Sequence, residues 1–286
     1  MTRPGDVRPI DTLIGFRSVS NIPKIAALRP DSHRDNTIGY MFKDMPNNAG
    51  MELTPERSVE ETVAQMDQFG IDIGLVNLDN PATKIALKTH PDRFAASLGV
   101  DPNDVMGSVR AIRSAVEEFG IRAVTMFPSG VSPQVPIDDR RAYPIYAACV
   151  ELQLPVFVAV GVPGPRIPLA AQKVELIDQV CYDFPDLVFV MRHGGEPWVE
   201  LAVKLMLKWP NLYYSTTAFA PRHYPAAIVD YANTRGADKI VYGGYFPFGI
   251  ELSRTFAELN NVPFKDEVWP KFLRHNAAAI LGYRTS

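Results

Sequence analysis

The sequence predicts one (β/α)8 barrel over residues 1–286, with a long insertion after its first strand. Three observations carry this reading. Eight short apolar runs recur along the chain, amphipathic runs separate them, and no glycine-rich phosphate turn follows the first run, as a doubly wound sheet would more often show. The length of 286 residues agrees, because barrels of about 250 residues fold as single units.

The eight runs are residues 9–13, 71–77, 94–100, 121–127, 155–160, 187–192, 212–215 and 239–243. They are rich in Val, Ile, Phe and Leu with little polar alternation, the pattern of strands buried on both faces of a parallel sheet. Helical stretches lie between them. Residues 58–69 put Val59, Val63, Met66 and Phe69 on one face, and residues 105–119 do the same with Val109, Ile112, Val116 and Phe119. Gly70 and Gly120 follow these two stretches as C-terminal stops. Residues 168–184, 197–209, 224–234, 251–259 and 263–281 continue the alternation. Residues 16–55 break it, with frequent Pro, Asn, Asp and Arg and no strong period. So long a connection in a compact domain is usually functional. It follows strand 1, so it is expected over the C-terminal mouth, as a lid or a partner-binding arm.

Composition excludes several function classes. A hydrophobic share of 47% supports a sizeable core and argues against disorder. Basic residues number 29 against 32 acidic, which lacks the basic excess of a nucleic-acid binder. No apolar run approaches the ~18 residues of a membrane helix. Residues 1–9 carry charges but no apolar core of a secretory signal. Cys149 and Cys181 have no pairing motif, so a reducing, cytoplasmic setting is expected.

Chemistry in a barrel sits at the C-terminal ends of the strands. After strand 6 stands His193-Gly194-Gly195-Glu196-Pro197-Trp198. His193 is a candidate general base or metal ligand, with Glu196 as its carboxylate partner. Weighed against that is a histidine that merely caps a turn. After strand 5 comes a rigid loop ending in Arg166, and after strand 7 comes Pro221-Arg222-His223. Arg166 and Arg222 could clamp a carboxylate, although surface ion pairs are the commoner use of such residues. Tyr245, after strand 8, could donate a proton. His33 and His90 fall in loops and His275 in the last helix, and none is given a catalytic role. His90, before Pro91, fits a helix C-terminal cap. The chain has no HxH, HExxH, Cys/His cluster, GxGxxG, P-loop or GxSxG. A metal site needs three or four ligands, and the sequence alone assembles only His193.

Several runs together resemble the amidohydrolase-related family, in the branch of metal-dependent decarboxylases and hydrolases. They are His90-Pro91-Asp92-Arg93-Phe94, Val100-Asp101-Pro102, His193-Gly194-Gly195-Glu196-Pro197-Trp198 and Pro210-Asn211-Leu212-Tyr213. Pro221-Arg222-His223-Tyr224-Pro225, Tyr231-Ala232-Asn233, Phe246-Pro247, Lys271–Ala277 and Leu281-Gly282 complete the set. The resemblance implies a (β/α)8 barrel. It also implies an Asp-x-His-x-His run on strand 1, where this chain has Asp11-Thr12-Leu13-Ile14-Gly15. The family's strand 5 histidine falls near Ala159, its strand 6 histidine at His193 and its strand 8 aspartate at Tyr245. Leucine, glycine and alanine cannot ligate through their side chains, so no metal and no cofactor is expected.

Two function readings follow. In the first, the chain is a barrel without chemistry of its own, a non-catalytic subunit paired with a metal-bearing paralogue. It then resembles the arrangement in a bacterial hydroxylase of 2-aminoisobutyrate, a monooxygenase acting on a small amino acid. In the second, it is a metal-independent hydrolase or lyase of a small carboxylate, with His193 as base, Glu196 orienting it, Tyr245 donating a proton, and Arg166 with Arg222 holding the carboxylate. A homo-oligomer is the alternative assembly, and a ligand-binding barrel a third reading. The replacements Leu13, Gly15 and Ala159 favour the first.

Overall fold

The computed structural model describes residues 3–17, 25, 40–42 and 53–283. Eight parallel strands run in sequence order: β1 (Ile10–Asp11), β2 (Ile73–Asn77), β3 (Phe94–Val100), β4 (Ala123–Met126), β5 (Val156–Ala159), β6 (Phe189–Arg192), β7 (Leu212–Ser215) and β8 (Ile240–Val241). The amide of Thr12 donates to the carbonyl of Tyr242 at 3.3 Å, and its hydroxyl to the same oxygen at 2.8 Å. These bonds join the last strand to the first. The predicted barrel is therefore present, but β1 and β8 are only two residues long. Both hand over early to the loops that build the mouth.

The helices are α1 (Pro55–Phe69), α2 (Pro81–Thr89), α3 (Val105–Phe119), α4 (Tyr143–Glu151), α5 (Ile177–Asp183), α6 (Val199–Lys208), α7 (Ala226–Thr234) and α8 (Leu252–Leu259). Thr54 caps α1 by accepting from the Arg57 amide, and Gly70 closes it at φ 71°. Gly120 closes α3 at φ 58°. Both glycines take the left-handed backbone that a side chain resists. Helix α2 ends at the cap expected at His90, although the sequence reading gave that helix no range, and α4 corrects the reading, which placed no helix there. Both are nine-residue helices opening on or beside proline, too short for a clear apolar period. The expected long helix over 168–184 breaks into two 3-10 turns before α5, and the last one into Val268–Pro270, a π turn over Lys271–His275, and Asn276–Ile280. His90 is the C-cap of α2, as expected, and its Nε2 pairs with Glu60 at 2.9 Å.

The inner faces of the strands form their own core. Ile10, Ile73, Leu75, Ala95, Ala123, Phe157, Val190 and Val241 pack together, floored by Ala277, Ala278, Ile280 and Leu281 from the C-terminal helix. The outward residues, such as Val76, Val124, Val158 and Met191, meet the helices in a second, larger core. Side chains alternate along a strand, so the residues two positions beyond the inner apolar layer also face inward. That upper layer includes Thr12, Asn77, Ser97, Thr125, Ala159, Arg192 and Ser215. Apart from Ala159 it is polar where the layer below is not.

Most of the predicted insertion at 16–55 lies outside the described residues, and so does His33. Its start is anchored. One Nη of Arg17 lies between the two Glu251 carboxylate oxygens, at 2.6 and 2.7 Å, and its Nε pairs with Glu61 at 2.9 Å. Further on, the Tyr40 hydroxyl donates to the Gly164 carbonyl at 2.5 Å, and the Phe42 ring packs against Tyr245. Residues 40–42 therefore sit at the C-terminal mouth. No helix among the described residues is long and apolar enough to cross a membrane.

Candidate functional site

Strand β6 ends at Arg192, and the chain then takes three consecutive left-handed residues: His193 (φ 66°), Gly194 (φ 90°) and Gly195 (φ 69°). A histidine in this region is uncommon and carries backbone strain. The turn is held tightly. A Cβ on Gly194 would stand 2.4 Å from the Phe219 ring, and the Val162 amide donates to the Glu196 carbonyl at 2.9 Å. The His193 amide donates to Thr217 Oγ1 at 3.2 Å.

The His193 ring meets Tyr245 edge to face, with centroids 5.9 Å apart. Its Nδ1 is buried and has no hydrogen-bond partner among the described residues. Burial first, and the neighbouring Arg192 charge second, push the imidazole down to about 3, so the ring is neutral at ordinary pH. Burial pushes the Tyr245 phenol up to about 12, and this ring also packs against Phe42 and Phe248.

Arg192 lies inside the barrel. Its guanidinium carbon is 4.6 Å above the Phe157 ring, and one Nη donates to the Thr12 carbonyl at 2.6 Å. Burial lowers its pKa to about 9, against the opposing pull of Asp11. Asp11 is fully buried, and its Oδ1 accepts from the amides of Leu13 and Gly244 at 3.0 and 2.8 Å. Burial raises this carboxyl to about 7, although the two amides and the Arg192 charge favour the anion.

The other predicted residues do not join this cluster. Glu196 is exposed and gives no partner to His193 Nδ1, so the expected base–orienter bond is not formed. Arg222 is largely exposed, donates from Nε to His223 at 3.0 Å and stands 3.8 Å from Glu258 on α8. Arg166 is exposed and stacks on Tyr40, 4.7 Å from the ring centre. The two arginines are engaged at the rim and not in the barrel interior. Sequence reasoning missed Arg192 and Asp11. The signal was there: an arginine ending an apolar strand, two positions after inward-facing Val190.

The donor set bears on a metal. Leu13, Gly15 and Ala159 offer no ligating side-chain atom. At Gly15 there is also no room, because a Cβ would stand 2.4 Å from Cζ of Phe248. Among the described residues, no three His, Cys, Asp or Glu side chains converge on one point. These residues do not fit a metal centre built from three or four protein ligands.

The family model described as Amidohydrolase matches residues 32–283. The chain belongs to the amidohydrolase family. Among solved structures, this family member is similar to an uncharacterized TIM-barrel protein of Bordetella bronchiseptica, at 25% identity and TM-score 0.77 over 96% of this chain and 99% of that one. It shares its fold with a 5-carboxyvanillate decarboxylase of Novosphingobium aromaticivorans, determined with bound manganese, at 16% identity and TM-score 0.67 over 99% of both chains. The same holds for a 2,6-dihydroxybenzoate decarboxylase of Rhizobium, at 14% identity and TM-score 0.65 over 96% of this chain and 99% of that one. No curated protein matches this amidohydrolase-family chain in sequence.

Proposed function

We propose that this chain is an amidohydrolase-family barrel that has lost the metal centre and serves as a non-catalytic subunit beside a metal-bearing paralogue. One observation carries the reading: the Gly15 position is closed by Phe248, at 2.4 Å from where a Cβ would stand. A ligand lost by a single substitution leaves a hole. Here the space is filled by an aromatic cluster of Phe248, Tyr245 and Phe42. Any chemistry, including hydroxylation of a small amino acid, would then reside on the partner, and this chain would contribute interface and stability. The test is to purify the chain from its own cells without a tag and measure native mass and metal per chain. A stoichiometric complex with a second, metal-carrying barrel is the expected result. A homo-oligomer holding metal on this chain at one ion per barrel would sink the reading.

A second reading has its own support in the unpartnered, neutral His193 facing Tyr245. These two groups would serve a metal-independent hydrolase or lyase of a small carboxylate as base and proton donor, with Arg166 and Arg222 reaching the substrate from the rim. In that case His193→Ala and Tyr245→Phe would each lower turnover at least ~100-fold. Turnover unchanged in both variants would remove it.

A further inference from the structure

The N-terminal face of the barrel, opposite the mouth, carries a cavity of about 310 Å³ lined by Asp6, Val7, Arg8, Asp72, Arg274 and His275. That volume stands at the lower end of the range for small-molecule sites. Three stretches of chain meet there: the segment leading into β1, the residue before β2, and the π turn over Lys271–His275. π turns are frequent at functional sites. This one brings the neighbours Arg274 and His275 to the same cavity.

The two arginines are held in place. Arg8 Nη2 stands 3.2 Å from Asp72 Oδ1, and Arg274 Nη1 stands 2.8 Å from Asp72 Oδ2. Arg274 Nη1 also donates to the Arg8 carbonyl at 2.9 Å. One carboxylate thus fixes two guanidiniums, and it leaves the Nε and the second Nη of each unused. Asp6 is exposed and lines the same cavity, yet it pairs with neither arginine, nor with any other cation among the described residues. A clamp between chain segments needs Asp72 but not Asp6. The cavity therefore has cationic donors on one wall and an anionic acceptor set apart from them. The charges of Arg8 and Arg274 balance those of Asp6 and Asp72. A simple anion finds no net attraction in such a site, whereas a molecule bearing both charges meets each with its opposite.

We propose that this cavity binds a free α-amino acid as its zwitterion, with the carboxylate on Arg8 and Arg274 and the ammonium on Asp6. Guanidinium forks match a carboxylate, and forks already fixed by Asp72 lose little freedom on binding. Val7 is the one apolar side chain of the lining, which favours a small amino acid. The site lies at the other end of the barrel from His193 and Tyr245, so its ligand acts as an effector and not as a reactant. It stands apart from the subunit reading, because the isolated chain suffices to test it.

The full chain would be titrated with glycine and alanine at constant ionic strength, with sodium acetate, methylammonium chloride and sodium chloride as controls. Thermal stability and the ring resonance of His275, assigned by its absence in His275→Gln, are the readouts. Small solutes also stabilise proteins by exclusion from their surface, so only stabilisation that saturates counts. Saturation by at least one amino acid is expected, with the His275 resonance following the same curve and affinity at least ~10-fold above that for acetate or methylammonium. Asp6→Asn leaves the Arg8–Asp72–Arg274 contacts in place, so the free variant should melt as the native chain does. It should bind the amino acid at least ~10-fold more weakly, and so should Arg274→Gln. Absence of saturation with both amino acids overturns the proposal. So does acetate or chloride binding as tightly as glycine, which would mark a plain anion site. A His275 resonance that stays still during saturation places the ligand elsewhere and rejects the site, as does binding undiminished in Asp6→Asn. If Arg274→Gln does not fold, Asp6→Asn and the His275 resonance still decide.

Discussion

Phe248 occupies the space that any side chain at position 15 would enter, with its Cζ 2.4 Å from the Cβ position of Gly15. The Gly15 amide is also bonded to the Phe246 carbonyl at 2.8 Å, so the backbone cannot simply retreat. Gly15→Ala is therefore expected to cost about 1–2 kcal/mol, the range for overpacking a filled site. In a Phe248→Ala background the same change should cost less than about 0.5 kcal/mol, because the clashing ring is gone. Denaturant unfolding of the four proteins of this cycle checks it. Equal costs in the two backgrounds would show that the ring moves aside freely.

The two thiols offer a probe of the outer core. Cys149 is fully buried on α4 and Cys181 nearly so on α5, and burial pushes each thiol up to about 12. A thiol that is neutral and covered is a poor nucleophile. An aromatic disulfide reagent at pH 8 should label less than about a tenth of an equivalent in the native protein, and both thiols after unfolding. Rapid labelling of Cys181 alone would mean that α5 opens locally, which its short length and 3-10 approach would permit.

Much of the barrel was legible in the sequence because both signals that specify it are local. Apolar runs marked all eight strands, and Gly70 and Gly120 marked two helix ends. The strands β1 and β8 were overdrawn at five residues each, since hydrophobicity continues past the last ladder bond into the mouth. Helix α4, flanked by prolines and apolar on most sides, gave no period to read. The site was less legible for a different reason. His193 and Tyr245 stand together as their strand-end positions implied, but Glu196, only three residues from His193, points to solvent. His193 itself and the two glycines between them take the left-handed backbone and reverse the chain, and nothing in the composition of that run fixes where the carboxylate ends. Arg192 was passed over because burial of a cation is not visible in sequence until strand parity is known.

His193 should titrate far below an ordinary histidine. Its folded pKa of about 3 is depressed from the usual 6.5. The stability associated with it is therefore present above pH 6.5 and lost progressively as pH falls toward 3, because the unfolded chain takes up the proton first. Each unit of that window is worth about 1.4 kcal/mol at most. In His193→Asn, which tolerates the left-handed backbone, the loss between pH 6.5 and 5 should be smaller than in the native protein by about 1 kcal/mol or more. A ring carbon chemical shift that titrates with a midpoint above pH 5.5 would refute the buried, unpartnered state.

Asp11 contributes the opposite slope. Its folded pKa of about 7 is raised above the unfolded 3.8, so the stability tied to it is complete below pH 3.8 and declines as pH rises through 7. Asn at this position keeps an oxygen for the Leu13 and Gly244 amides and removes the ionisation. Asp11→Asn should therefore be more stable than the native chain at pH 8 by at least about 1 kcal/mol, and closer to it at pH 5. The Arg192 charge works against this gain, because an ionised Asp11 is its nearest through-space counter-charge. If that attraction outweighs burial, Asp11→Asn will be less stable at pH 8 than at pH 5 relative to the native chain. Urea midpoints of both proteins at the two pH values decide the sign, and with it whether Asp11 rests as an acid or as the distant counter-ion of Arg192.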